Sequence, residues 1–222
     1  MINNNLQQDI SILQSAFKTF PTHWDGRESI LELKQADYNW RQMEWIGWYF
    51  EYKAKQILKN DFAQGDKYEN ITFDLKKTIN WDLKSSAIKT DNHKIILNDK
   101  IAMDLSIKEH KYHGEIIALC DVMYNDDNRT FQQWHTELKG GKSDYEKDRE
   151  QRTSVSRYRK TQATLTEILL LVIQEKDLDN LLIMKQGRNS DGNPRNEKYM
   201  IDLEKIGDIE KYIVSFGGNN VL

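Results

Sequence analysis

Apolar positions along the chain recur at several distinct spacings, and each spacing predicts an element. Leu6 to Phe17 carries spaced apolar residues and predicts a helix, and the chain turns around Pro21 to Gly26. Tyr38 to Leu58 predicts a long helix, in which Met43, Ile46, Phe50, Ala54 and Ile57 form a buried stripe. Trp40, Trp45 and Trp48 lie on or near it and read as core aromatics. Ile71 to Lys89 is extended: ITFDLKK, a short turn, then NWDLKSSAIK. A helix follows, capped by Asn98 or Asp99, with Ile101 and Leu105 one turn apart. Gly114 ends that segment, and Ile116 to Cys120 predicts a buried strand. Thr161 to Lys176 predicts another helix, because Leu165, Ile168, Leu169, Val172 and Ile173 follow the i, i+3, i+4, i+7, i+8 pattern. Leu181 to Met184 predicts a short strand, and the polar stretch from Gly187 to Arg195 a loop.

The strand, helix, strand order between residues 71 and 120 implies a crossover, hence a mixed central β-sheet flanked by helices and an α/β fold class. With no repeat, no low-complexity linker and only Pro21 and Pro194 as prolines, residues 1–222 read as one domain. A hydrophobic content of 38% against 30% charged residues excludes a disordered chain. No apolar run reaches the roughly 18 residues that span a bilayer. The opening MINNNLQQDISILQ lacks a basic segment followed by an apolar one, so no secretory signal is expected. A single cysteine, Cys120, rules out an internal disulfide or a zinc site of several cysteines, and the chain is expected to be cytoplasmic. The net charge of −3 argues against nucleic-acid binding by bulk attraction, so local charge matters more than the total.

The chemistry-bearing pattern is Phe73-Asp74 followed by Trp81-Asp82-Leu83-Lys84. Strand side chains alternate, so Asp82 and Lys84 share one face while Trp81 and Leu83 enter the core. If Thr78 to Asn80 form the turn, Asp74 lies across from Lys84 on that face, at about 4.5–5.5 Å between neighbours. Two carboxylates at close range repel unless a cation sits between them. Mg²⁺ takes oxygen ligands, lowers the pKa of bound water and stabilises phosphoryl charge, and an adjacent lysine offsets developing negative charge. The same triplet on an exposed hairpin would be only a solvated set of charges. Here, however, it has apolar flanks, an upstream Asp, and the small residues Ser85, Ser86 and Ala87 after it.

Asp74 with Asp82-Leu83-Lys84 resembles the PD-(D/E)xK nuclease signature, and the members it most resembles are the type II restriction endonucleases. The resemblance covers about residues 38–124 as the catalytic core, leaving residues 1–37 and 125–222 as peripheral helices and DNA-contacting segments. It implies a restriction-endonuclease-like core, Mg²⁺ held by Asp74, Asp82 and the main-chain carbonyl of Leu83, and a glutamate from the preceding helix. Glu51 matches that position, with Gly47 one turn earlier allowing close approach to the sheet, and Glu44 competes for it. The usual proline before the first Asp is replaced by Phe73, and the first strand, expected between Asp61 and Asn70, is poorly marked. The resemblance further implies double-stranded DNA as substrate, 5′-phosphate and 3′-hydroxyl ends, a homodimer, and a cognate DNA methyltransferase in the same cell. Glu137-Leu138-Lys139, with Asp121 upstream, is a rival triplet, but Gly140-Gly141 directly after it suits an element end.

For DNA contact, Ser85 and Ser86 follow the lysine, and the acid-free stretch Gln151 to Lys160 supplies Arg152, Arg157, Arg159 and Lys160. A second basic group includes Arg188 and Arg195. Other patterns fall short. Gly140-Gly141-Lys142-Ser143 lacks the earlier glycine of a phosphate loop, and Asp126-Asp127-Asn128 reads as a turn. His110 and His113, at i, i+3 without further ligands, read as surface histidines. A structure-specific repair nuclease and a non-enzymatic DNA-binding protein are the alternatives to a restriction enzyme.

Overall fold

The computed structural model describes residues 3–65, 73–88, 93–124, 128–142, 144, 147–148, 159–188 and 192–216. Helix α1 (Asn4–Phe17) starts where the Asn3 side chain accepts the Leu6 N–H, and buries Leu6, Ile10, Leu13 and Phe17 along one stripe. A short strand β1 (His23–Asp25) leads into α2 (Gly26–Gln35), whose first turn is capped by Asp25. The apolar pattern predicts only a turn here.

Helix α3 (Trp45–Leu58) is shorter than the predicted 38–58. Asp37 and Asn39 both adopt positive φ, which a helix does not tolerate, so residues 38–44 form turns. Its buried stripe is Trp45, Ile46, Tyr49, Phe50, Ala54 and Leu58, while Ile57 is exposed.

Strand β2 (Ala63–Gln64) falls where the poorly marked first strand is expected, between Asp61 and Asn70, and β3 (Leu75–Lys76) and β4 (Asn80–Ala87) lie in the predicted extended region. β5 (Lys94–Asp99) precedes α4 (Lys100–His110), and β6 (His113–Tyr124), α5 (Thr130–Leu138) and β7 (Lys160–Ile173) follow. The chain then adds β8 (Leu182–Met184), β9 (Lys198–Asp202) and β10 (Glu210–Ser215). The fold is mixed α/β, with a curled central sheet in the order β1-β7-β6-β4-β3-β2 and β10 also on β7. A small antiparallel sheet, β5-β9-β8, is separate from it.

Alternation along the central strands divides the interior in two. Trp81, Leu83, Ile116, Ala118, Ile168, Leu170 and Val172 join the core built with α1, α2 and α3. Ile117, Leu119, Leu169, Leu171 and Ile173 face the opposite way, toward α4 and the small sheet.

This two-sided burial explains the main departure from the sequence expectation. Residues 161–176 predict a helix, but β7 spans Lys160–Ile173 between β6 and β10. A continuous apolar run satisfies the helical spacing and the strand spacing together, and Thr161, Thr164, Thr166, Val172 and Ile173 favour the extended form. On α4 the buried residues are Met103, Ser106 and Ile107, whereas Ile101 and Leu105 are exposed. The Asp126-Asp127-Asn128 turn falls largely outside the described residues. No helix among the described residues is long and apolar enough to cross a membrane.

One long-range contact sets the turn between β3 and β4. Asp9 of α1 is fully buried, and its two carboxylate oxygens accept the Thr78 N–H and the Thr78 hydroxyl, each at 2.9 Å. Asp9→Ala leaves both donors without their partner and is expected to destabilise the fold by about 3 kcal/mol. Urea denaturation checks this, and a loss under about 1 kcal/mol would show that the turn does not depend on Asp9.

Candidate active site

The only parallel pair among the described strands, β4 with β6, positions the site. Trp81 and Leu83 are buried in the core with α3, which turns Asp82 and Lys84 to the other side of β4. Asp74, just before β3, lies beside Asp82 rather than opposite Lys84. The turn occupies Lys77 to Ile79, and Leu75 pairs with Trp81, so the register differs by two residues from the expected one. A two-residue shift preserves the face, so Asp74 stays on the predicted side. Its Oδ2 accepts the Leu83 N–H at 2.7 Å.

Helix α3 supplies the opposing wall through Gly47, Glu51 and Lys55, spaced one turn apart. A Cβ at Gly47 would lie 3.5 Å from Ser85 Oγ, so the helix backbone runs close to β4 there. Glu51 accepts hydrogen bonds from Lys55 Nζ at 2.7 Å and from the Tyr38 hydroxyl. Lys55 Nζ is 4.0 Å from Asp74. A cleft of about 1020 Å³ brings together Asp74, Asp82, Lys84 and Glu51, along with Leu83 and Ser85. The competing Glu44 also lines it, but is exposed and paired with Lys160 at 2.9 Å.

Two further groups lie beneath this cleft. In β6, Glu115 is registered with Asp82, and His113 lies two residues before it on the same face. Both are fully buried, which corrects the expectation that His113 is a surface histidine. His113 Nε2 is 3.2 Å from Asp82 Oδ2 and 3.4 Å from Glu115 Oε1. Of the two expected helix caps, Asp99 stands at the N-cap position of α4, though without a side-chain capping bond, and Asn98 lies at the end of β5 and donates its side-chain amide to Asp82. Alternation along His113-Gly114-Glu115, ahead of an apolar strand, was the available sequence signal for this pair. Its link to Asp82 depends on the β4–β6 pairing.

The electrostatics follow from these placements. Burial pushes Asp74 up to about 7, with Glu51 and Asp82 adding to the effect. Burial also acts to raise Asp82, but Lys84, His113 and Asn98 outweigh it and hold the carboxyl low. Burial acts to lower Lys84, but Asp82, Glu115, Asp74 and Glu51 hold its ammonium above the ordinary value. Burial likewise opposes charge on His113, and Asp82 and Glu115 raise it to about 9. Asp82, His113 and Glu115 could hold a metal ion, since one ligand atom from each lies within 4.8 Å of the others.

The expected DNA contacts are distributed unevenly. Ser85 and Lys160 line the cleft. Ser86 bonds the Ala87 carbonyl at 3.4 Å and is not among the lining residues. Arg152 and Arg157 lie outside the described residues, and Arg159 stands immediately before β7. Arg188 and Arg195 are exposed and are not among the lining residues, and Arg188 donates to the Gly192 carbonyl at 2.7 Å. The rival Glu137 belongs to α5, with Lys139 at its C-terminal cap, so that triplet is not carried on a strand. No family model, curated protein or solved structure matches the chain.

Proposed function

We propose that this protein is a Mg²⁺-dependent endonuclease that cuts double-stranded DNA at fixed sequences, in the manner of a type II restriction enzyme. The observation that carries the proposal is the convergence of Asp74, Asp82, Lys84 and Glu51 on one cleft. Asp74, Asp82 and the Leu83 carbonyl offer oxygen donors, the set that Mg²⁺ prefers. A bound Mg²⁺ would supply an activated water and offset charge on the phosphoryl oxygens. Lys84, held charged by its carboxylate neighbours, would counter negative charge on the scissile phosphate. Lys55, paired with Glu51, faces Asp74 from the helix side. Cleavage would leave 5′-phosphate and 3′-hydroxyl ends, a homodimer would cut both strands, and a cognate methyltransferase would protect host DNA.

Digestion of a long unmethylated duplex tests this. Discrete fragments are expected with Mg²⁺ and none with EDTA. An intact duplex over a broad range of enzyme and Mg²⁺ concentrations, with cutting confined to branched DNA, would replace sequence recognition by structure recognition. Binding without any cutting would remove the enzyme proposal.

A further inference from the structure

We propose that Asp82, His113 and Glu115 form a second cation site, which takes a zinc-class divalent ion rather than Mg²⁺. Only its sharing of Asp82 with the catalytic cleft rests on the nuclease proposal; the cation site itself stands on its own geometry.

Three observations support it. First, the donor atoms of the three residues lie within 4.8 Å of one another. Second, Glu115 is fully buried and neither of its carboxylate oxygens has a hydrogen-bond partner, nor does His113 Nε2. The contacts from His113 Nε2 to Asp82 and Glu115 are close enough for an ion pair but are not aligned as hydrogen bonds. A buried carboxylate without a donor is costly, and a cation would satisfy both residues together. Third, the surroundings already orient the ligands. His113 Nδ1 is 3.1 Å from the Ser106 hydroxyl, so an Nδ1–H donated to Ser106 leaves Nε2 free to ligate. Asn98 holds Asp82 through its side-chain amide.

Charge and chemistry set the class of ion. Four carboxylates (Asp82, Glu115, Asp74 and Glu51) surround Lys84, and Lys55 is the other ammonium among them. In the metal-free chain a protonated His113 stands beside Asp82 and Glu115, and an ion ligated by Nε2 displaces that proton and takes its place between the two carboxylates. An imidazole nitrogen among the donors favours zinc-class ions, whereas Mg²⁺ favours oxygen alone.

Calorimetric titration of the untagged, metal-free chain with Zn²⁺ tests the site, with the visible absorption of bound Co²⁺ as a second readout. Wild type is expected to bind, Glu115→Gln and His113→Gln to bind at least about 100-fold more weakly, and Ser106→Ala about 10-fold more weakly. Ser106→Ala removes only a hydroxyl, so it remains informative if a ligand variant does not fold. Wild type that fails to bind Zn²⁺, or binding unchanged in folded Glu115→Gln, would overturn the site. Zn²⁺ binding that is lost in Glu115→Gln, in a protein that never cuts DNA, would sustain the site and remove the nuclease proposal. Mg²⁺-dependent cutting without Zn²⁺ binding would do the reverse.

Discussion

Lys84→Ala is expected to reduce Mg²⁺-dependent DNA cleavage at least about 100-fold, the scale on which loss of one charge-stabilising donor acts. The reason lies in where Lys84 stands. Its ammonium shares β4 with Asp82, is held charged by four carboxylates, and lines the same cleft as Asp74 and Glu51. Removing it also leaves those carboxylates less compensated, so the variant should be less stable, by up to about 3–5 kcal/mol where a buried ion pair is broken. Cleavage is therefore compared at a temperature at which circular dichroism shows both proteins folded. Lys84→Arg separates charge from shape: a planar guanidinium retains the charge but not the compact ammonium geometry, and cleavage should remain low. Normal cutting by folded Lys84→Ala would remove this hairpin as the active site.

The Asp82–Lys84 pair was legible because local alternation alone places it. Trp81 and Leu83 are apolar and the two charges between and after them are not, so one face is core and the other is chemistry. The partner of Asp74 was less legible. Its register depends on a turn that Asp9 holds from 69 residues away in sequence, and no local pattern near Thr78 reports that contact. His113 and Glu115 were hidden for a related reason, since they join the site only through the parallel pairing of β4 with β6. The helix expected in place of β7 has another origin. From Ile168 to Ile173 every residue is apolar, so the helical and strand periods could not be distinguished there. Burial on both faces, a tertiary property, decides for the strand. Helix α2 did carry a local signal, the Asp25 cap before Ile30 and Leu33, which a turn assignment at Gly26 obscured.

The same strand pair yields a second large expected effect, this one on stability. Gly114 pairs with Trp81 across β4 and β6, and a Cβ built on Gly114 would lie 2.1, 2.3 and 2.7 Å from three atoms of the Trp81 ring. Gly114 does not have a positive φ, so the demand is for space and not for a special backbone conformation. Trp81 is itself fully buried and has little room to retreat. Gly114→Ala is therefore expected to cost about 3 kcal/mol or more, at the upper end for overpacking. For a chain of this size that corresponds to a fall in Tm of about 6–12 °C. Because the cost arises from one ring, it should shrink when the ring does. In a Trp81→Leu background, Gly114→Ala should cost about 2 kcal/mol less than it does alone, which a double-mutant cycle measures directly. An undiminished penalty in that background would place the clash elsewhere. Since Gly114 stands between His113 and Glu115, and Trp81 beside Asp82, any shift that relieves the clash also moves the carboxylates of the site. Partial relaxation in Gly114→Ala should thus lower cleavage more than its loss of stability alone accounts for.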